Sequence, residues 1–368
     1  MLSRAHKDWL QEVARGLPAF LDSLALPDQP GRYLPCRRGL TPAGREVALG
    51  FSCLALKLAY TLGRWEALAE DRRRAWLEFI RGFQAGDDQP QELMRGAFLD
   101  PALIGRLRPE PWWRRLGRRG PDARTRAVIA ETKQAIATLA EVGASPRRPY
   151  LAFPRTREAV RAWLEGLDWR RPWTAGALAA QLAVFLRTQA PAVLAPPQVE
   201  ALVREEADFL ARLADPDTGA YWRGSRPERG ELINGAMKVL TALDWLEEPV
   251  HHPRALTALC LAELPRPEGC HLVDLVYVLH RCAQEQRHHR QQVHDYALQV
   301  LDMIRRHHNP DRGFSYYIGR SQTNYYGVDI ARGLEESDLH GSLLLAWALA
   351  MLMELLEEDV LGWRVIRP

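Results

Sequence analysis

Two short stretches place catalytic residue types at the start of apolar segments. Asp338 and His340 precede the apolar run 343–352, and His271 and Asp274 stand at the start of another apolar segment. Imidazole and carboxylate groups give protons to a reacting centre and take them from it. Burying such groups without a partner costs free energy, so at an apolar helix start they must be hydrated, paired or functional. The pattern predicts acid–base chemistry at these starts, with helix capping by Asp338 as the structural alternative.

Residues 313–341 form the densest polar and aromatic segment of the chain. Tyrosine rings with a hydrogen-bonding tip suit the apolar face and hydroxyl rim of a sugar. Polar loops of this length in compact domains are usually functional, the alternative being a lid that only packs on the domain. The predicted catalytic residues are His340, Asp338, Tyr316, Tyr325, Asp274 and His271, with His340 or a tyrosine as the base. The predicted substrate-binding residues are Asn234, Lys238, Trp222, Tyr317, Tyr326, Arg320, Arg332 and Glu336, with Arg320 or Arg332 holding a carboxylate or sulfate.

The elements that must position these residues are helices. Apolar residues recur at intervals of three and four rather than two, and Pro and Gly stand between the periodic segments. The predicted helices are Ser3–Ser23, Thr41–Leu62, Trp65–Phe83, Ala123–Val142, Thr156–Leu167, Ala175–Thr188, Pro197–Leu213, Leu232–Trp245, Arg254–Leu264, Leu272–Gln286, Gln291–His307 and Asp338–Leu356.

Two kinds of helix alternate along much of the chain. Segments such as 177–186 and 343–352 are apolar most of the way round, whereas segments such as 199–213 carry a strongly charged face. A helix that is apolar all round must be buried on all sides. The alternation predicts two concentric layers, with six inner and six outer helices.

A weak internal repeat precedes two of the apolar helices. Residues 215–222 and 309–316 align without a gap as acid or amide, Pro, Asp, any residue, Gly, and then aromatic residues, with a fainter echo at 96–101. Asp and Pro open a turn, and Gly219 and Gly313 are expected to supply the positive φ. Repeats of this kind indicate stacked helical hairpins.

A Gly–aromatic turn that leads into a buried helix resembles the α/α-toroid superfamily. That group includes terpenoid cyclases and protein prenyltransferases, and the similar (α/α)6 barrels of polysaccharide lyases, uronate epimerases and glycoside hydrolases. The segment 309–341 also resembles unassigned bacterial proteins associated with surface-polysaccharide gene clusters. The resemblance implies an all-α (α/α)6 toroid of helical hairpins in a single domain, residues 1–368. Within it we expect an N-terminal helical extension (1–40), a toroid core (41–356) and a long polar-aromatic loop over the cavity (313–341).

The protein prenyltransferases suggest an alternative use of three residues. Those enzymes hold zinc with Asp-x-Cys at one inner helix start and His at a later one, and Cys270, Asp274 and His340 are similar in placement. The position two residues after Asp274 is Val276 instead of Cys. The main expectation is therefore no cofactor, with zinc on these three residues as the alternative.

Composition and charge narrow the function classes. The net charge of +3 is too balanced to indicate a nucleic-acid-binding protein. Nearly all the positive charge is arginine, and the only lysines are at positions 7, 57, 133 and 238. This suggests a bias in codon composition and not a function specific to arginine. No apolar run is long enough to span a bilayer, and five cysteines without a C-x-x-C pair or a secretion signal favour the cytoplasm. The basic, aromatic segment Trp112–Arg119 is a candidate for peripheral contact with an anionic polymer or a membrane surface.

These observations predict an enzyme that acts on a carbohydrate in a central cavity. The expected substrate is an acidic surface polysaccharide or its precursor, and the chemistry is that of a lyase, an epimerase or a hydrolase. One alternative is an isoprenoid cyclase-like or prenyltransferase-like enzyme, which predicts a dry, aromatic-lined cavity in place of a wet, polar, arginine-bearing one. The other is a non-catalytic helical binding scaffold, in which Asn234, Asp274 and His340 would not converge.

Overall fold

The computed structural model describes residues 1–107, 121–285 and 289–368. Its helices are α1 (Arg4–Leu24), α2 (Pro42–Glu46), α3 (Leu49–Thr61), α4 (Glu70–Arg81), α5 (Pro101–Ile104), α6 (Ala123–Glu141), α7 (Arg157–Glu165), α8 (Pro172–Thr188), α9 (Pro196–Leu213), α10 (Arg229–Leu246), α11 (Pro253–Leu261), α12 (Gly269–Glu285), α13 (Arg290–Arg305) and α14 (Leu339–Leu355). Short 3₁₀ turns cover Glu92–Met94 and Ala190–Ala192. Strands β1 (Asn324–Tyr325) and β2 (Val328–Asp329) form an antiparallel pair in which Asn324 faces Asp329 and Tyr325 faces Val328.

Six helices form a closed inner ring within the described part of the chain. Helices α3, α6, α8, α10, α12 and α14 each pack on the next, and α14 packs back on α3. An outer helix precedes each of them along the chain, in the order α1, α4, α7, α9, α11 and α13. Because inner and outer helices alternate, the inner helices all run in the same direction. The predicted all-α (α/α)6 toroid with two helical layers is confirmed.

The two layers differ in burial as the sequence pattern predicts. Helix α14 is buried almost all the way round, whereas α9 buries one side and exposes charged residues on the other. An inner helix touches neighbours on both sides of the ring, so only an apolar surface avoids burying unpaired polar groups. Helix α1, which lies in the predicted N-terminal extension, packs against α3 and α14.

One predicted helix, Thr41–Leu62, is divided in the structure. Helix α2 ends at Glu46, and α3 begins at Leu49. The carboxylate of Asp100 accepts hydrogen bonds from the backbone N–H groups of Ala48 and Leu49 at 2.7 and 3.0 Å. A residue distant in the chain therefore satisfies the free N–H groups at the start of α3. The local sequence around residue 48 does not predict this helix start.

The repeated turns differ from each other in one backbone angle. Gly219 has the predicted positive φ of 72°. In the second copy the positive φ falls on Arg312, at 73°, so the expectation for Gly313 is wrong. A Cβ atom on Gly313 would lie 2.7 Å from the ring of Phe20, so this glycine is required by close packing.

The sequence predicts no membrane-spanning segment and one candidate segment for peripheral contact. Of the helices that the structure describes, none is long and apolar enough to cross a membrane. The segment Trp112–Arg119 lies outside the described residues.

Candidate active site

A cavity of about 280 Å³ lies on the axis of the inner ring. Residues of α3, α6, α8, α10 and α14 form its wall, and Ile366 and Pro368 of the C-terminal segment also line it. We call it the axial cavity. A second cavity of about 450 Å³ lies between the starts of α6 and α8 and shares Ala130, Ala177, Gln181 and Tyr326 with the first. We call this second space the mouth cavity.

Three of the four lysines in the chain line the axial cavity, each on a different helix. They are Lys57 on α3, Lys133 on α6 and Lys238 on α10. Among the described residues none of them has a carboxylate within 4.0 Å, and Lys57 Nζ donates to the carbonyl of Arg367 at 3.1 Å. Burial lowers the pKa of Lys57, and burial together with the charges of Lys57 and Lys238 lowers the pKa of Lys133 well below its ordinary value. Three amines without a paired acid favour an anion in this cavity.

Lys238 also acts electrostatically on a group of titratable side chains at the starts of α12 and α14, of which Asp274 and His340 do not themselves line the axial cavity. Asp274 is fully buried, and burial raises its pKa to about 6 although the charge of Lys238 opposes the shift. Asp274 Oδ2 has no hydrogen-bond partner among the described residues. Burial and the charge of Lys238 lower the pKa of His340 to about 4, so its imidazole is neutral at pH 7.

Tyr316 and Cys270 complete this group. The ring of Tyr316 stacks on His340 with 5.5 Å between the ring centroids, and His340 Nδ1 lies 2.9 Å from Gln322 Oε1. Burial raises the pKa of the Tyr316 hydroxyl, and it raises the pKa of the Cys270 thiol to about 11. Within the described ranges, no three His, Cys, Asp or Glu side chains form a group able to hold a metal ion.

Asn234 and His271 meet each other on a different surface. Asn234 Nδ2 lies 3.0 Å from His271 Nδ1, and the His271 ring lies beside Trp173. Both side chains line a separate cavity of about 280 Å³ together with Arg229 and Arg266. Asn234 and His271 are therefore neighbours, but they do not line the axial cavity.

Two of the predicted site carboxylates are occupied by backbone N–H groups. Asp338 caps α14 by accepting from Gly341 at 2.7 Å, and its other oxygen accepts from Tyr316 at 2.8 Å and Gln322 at 3.0 Å. Glu336 accepts from the backbone N–H groups of Arg38 and Gly39 at 2.7 and 2.6 Å. The hydrogen bonds of both side chains stabilise the loop. For Asp338, helix capping is the structural role that the sequence also allowed.

Of two neighbouring tyrosines in the long loop, one makes a buried hydrogen bond and the other lines a cavity. Tyr325 is buried and donates a hydrogen bond to Glu131. Tyr326 occupies the turn between β1 and β2 with a φ of 47°, followed by Gly327 at 88°, and it lines both the axial and the mouth cavity. Two successive positive φ angles are typical of the tight turn that suits a hairpin.

The predicted arginine anchors are not at the axial cavity. Arg320 is exposed and lies over the ring of Tyr317, 4.6 Å from its centroid. Arg332 is also exposed, and neither Arg332 nor Trp222 lines the axial or mouth cavity.

Sequence reasoning missed Lys57 and Lys133. The signal that could have found them is their placement, since lysine is rare in this arginine-rich chain and Lys57 is the one charged residue of the apolar helix α3. A charged residue on such a helix must be paired or face a polar space.

Comparisons with known proteins assign no family. No family model matches the chain, and no curated protein matches it. Solved structures that align with it include a protein described as a polysaccharide lyase, at 12% identity over 95% of this chain and 97% of that one with a TM-score of 0.47. They also include a glycosyl hydrolase family 88 protein from Bacteroides vulgatus, at 10% identity over 95% and 99% with a TM-score of 0.47. A possible GH105-family member from Salmonella enterica aligns at 13% identity over 96% and 95% with a TM-score of 0.39. The resemblance of the sequence to α/α-toroid proteins also includes lyases and glycoside hydrolases. The assignment of the toroid rests on the contacts between its helices.

Proposed function

We propose that this protein is an enzyme that acts on an acidic carbohydrate bound in the axial cavity. The observation that carries the proposal is the convergence of Lys57, Lys133 and Lys238 on one cavity without a paired acid among the described residues. A carboxylate or sulfate on a sugar would provide the missing negative charge. Lys238 is the principal anchor, because it also approaches Asp274 and His340.

Other groups in the cavity support a sugar over an apolar ligand. Gln181 Oε1 and Trp347 Nε1 are buried without hydrogen-bond partners in the described part of the chain, and both residues line the cavity. They offer an acceptor and a donor to hydroxyl groups, and the ring of Tyr326 offers a flat face. Ammonium groups would repel the carbocation of a cyclising isoprenoid, so the cavity disfavours that alternative.

The proposed chemistry is proton transfer beside the bound anion. An ammonium group on the sugar carboxylate stabilises the negative charge that develops when the neighbouring C–H loses its proton. Neutral His340, stacked on Tyr316, has the form of a base, and the pKa of Asp274, about 6, suits a group that exchanges protons near neutral pH. Lyase and epimerase reactions would use these groups on the C–H bond, and a hydrolase would use Asp274 on the glycosidic oxygen.

Binding of an acidic and a neutral sugar tests the proposal. In calorimetric titrations we expect an oligogalacturonate to bind and a malto-oligosaccharide of equal length to bind much more weakly. Lys238→Met should weaken oligogalacturonate binding by about tenfold or more, equivalent to about 1.4 kcal/mol, because one ammonium contact is lost. Lys7→Met is the matched control, since Lys7 is ion-paired at the surface with Glu358.

Two outcomes would contradict the proposal. Equal affinity for the two sugars would remove the anion-binding role, and so would unchanged binding by Lys238→Met. Proton NMR of the incubated oligogalacturonate then separates the three reactions by an unsaturated uronate, an inverted centre or new reducing ends. Binding without any of these products would contradict the enzyme assignment.

A further inference from the structure

Lys133, like Lys238 and unlike Lys57 and Lys7, has no hydrogen-bond or ion-pair partner for its amine among the described residues. It is half-buried in the wall of the axial cavity, and among the described residues its amine makes neither a hydrogen bond nor an ion pair. Lys57, in contrast, donates to the carbonyl of Arg367, and Lys7 pairs with Glu358. Lys133 is therefore an amine that faces a cavity without a protein partner among the described residues.

The charges around Lys133 disfavour its protonation. Lys57 faces it from α3 and Lys238 from α10, and with burial they hold its pKa well below the ordinary value. Glu141 acts on Lys57, and Asp274 is offset by Lys238, but neither carboxylate lies within 4.0 Å of Lys133. The remaining described side chains that line the cavity, from every element around it, are uncharged, and Tyr326 is the one titratable group among them. Desolvation and neighbouring cations are the means by which a lysine becomes a nucleophile at neutral pH.

We infer that Lys133 is a nucleophilic amine that forms an imine with an aldehyde or ketone that also carries an anionic group. Lys57 and Lys238 would hold the anion while the Lys133 nitrogen attacks the carbonyl carbon. The carbonyl oxygen becomes a hydroxyl and leaves as water with the two hydrogens of the amine, and the C–N single bond becomes C=N. The step consumes no oxidant or reductant. It uses the same cavity as the proposed function but requires a carbonyl compound and not a polysaccharide, so either can fail alone.

Reductive trapping tests the inference on the unmodified protein. The protein is incubated at pH 7 with glyoxylate, an aldehyde that carries a carboxylate, and sodium cyanoborohydride, and each lysine is followed by peptide mass spectrometry. The chain has only four lysines, and Lys7, with a side chain 44% exposed, is the internal reference. We expect Lys133 to be modified at least about tenfold faster than Lys7, since each unit of pKa difference changes the free-amine fraction about tenfold. Labelling of Lys133 at the rate of Lys7 or below would overturn the inference.

A pH profile separates chemical reactivity from mere accessibility. With propionaldehyde, which carries no anion, the labelling midpoint of Lys133 should lie at lower pH than that of Lys7. Lys238→Met should move the Lys133 midpoint towards that of Lys7, because one neighbouring cation is removed, whereas Lys238→Arg should keep it low. A common midpoint for Lys133 and Lys7 would overturn the inference, as would an unmoved midpoint in Lys238→Met. Trapping of Lys133 without oligogalacturonate binding would refute only the proposed function.

Discussion

Glu131 on α6 is a carboxyl group that the fold removes from water. It is fully buried, the Tyr325 hydroxyl donates to its Oε1, and its Oε2 has no hydrogen-bond partner in the described ranges. Burial raises its pKa to about 8, with a further contribution from the charge of Asp100. The native state therefore holds a proton that the unfolded chain would release near pH 4.5.

The raised pKa predicts how stability depends on pH. Between about pH 4.5 and 8 the native state binds more protons than the unfolded state at this site, so its contribution to stability falls as the pH rises. Glu131→Gln keeps an acceptor for Tyr325 but does not titrate, so the part of the loss that is due to Glu131, up to about 1.4 kcal/mol per pH unit, should disappear. Urea unfolding at pH 5, 6, 7 and 8 measures the slope.

The exposed Glu165 supplies the control for this experiment. Glu165→Gln should retain the wild-type slope, because this substitution leaves the buried carboxyl group of Glu131 in place. A wild-type slope in Glu131→Gln would show that the buried carboxyl group does not govern this pH range.

At the scale of elements, α8 and α10 make the closest approach in the ring. A Cβ atom on Gly235 would lie 2.6 Å from Pro172 Cβ, and one on Gly176 would lie 3.0 Å from the carbonyl oxygen of Gly235. The two glycines let the helix backbones touch and bring Lys238, one turn after Asn234, to the axial cavity. Gly235 on α10 thus permits close packing against α8, whereas Lys238 on the same helix supplies a charged group to the axial cavity.

Gly235→Ala should destabilise the protein by about 1–3 kcal/mol, because the new methyl group must push α8 and α10 apart. Gly230 lies in the first turn of the same helix, and the nearest atom to its added Cβ would be 3.8 Å away. Gly230→Ala should therefore be neutral or stabilise by up to about 1 kcal/mol. Thermal unfolding of both variants checks the pair, and equal effects would argue against the close crossing.

For the whole molecule, the long loop ties the last hairpin to the N-terminal segment. Isolated β-bridges join Cys36 to Asp338 and Leu40 to Ala331, and Glu336 accepts from the N–H groups of Arg38 and Gly39. These contacts reinforce the closure of the ring where α14 meets α3. Glu336 was predicted to bind substrate, but its hydrogen bonds here are structural.

Glu336→Ala should lower the free energy of unfolding by about 2 kcal/mol, because two backbone N–H groups lose a charged acceptor. The affinity for oligogalacturonate should stay near that of the wild type. The exposed neighbour Glu335 provides the comparison, and Glu335→Ala should change neither quantity. Loss of sugar affinity in Glu336→Ala at unchanged stability would return this residue to the binding site.

The helices, their alternation into two layers and the toroid that they build could be predicted from the sequence alone. Apolar spacing, Pro and Gly breakers and caps act within a few residues, so helix limits such as Ala123–Glu141 are nearly those of the pattern. The repeat at residues 215 and 309 marked the hairpins for the same reason.

Which side chains meet depends on the packing of helices that lie far apart in the chain. Lys57, Lys133 and Lys238 stand on three helices far apart in the chain, and ring closure brings them to one cavity. Asp338, in contrast, accepts hydrogen bonds from backbone N–H groups in another part of the loop, which the local pattern does not predict. Periodicity in the sequence indicates how polar each face of a helix is. Whether a charged side chain is paired depends on its neighbours in space, and packing determines those neighbours.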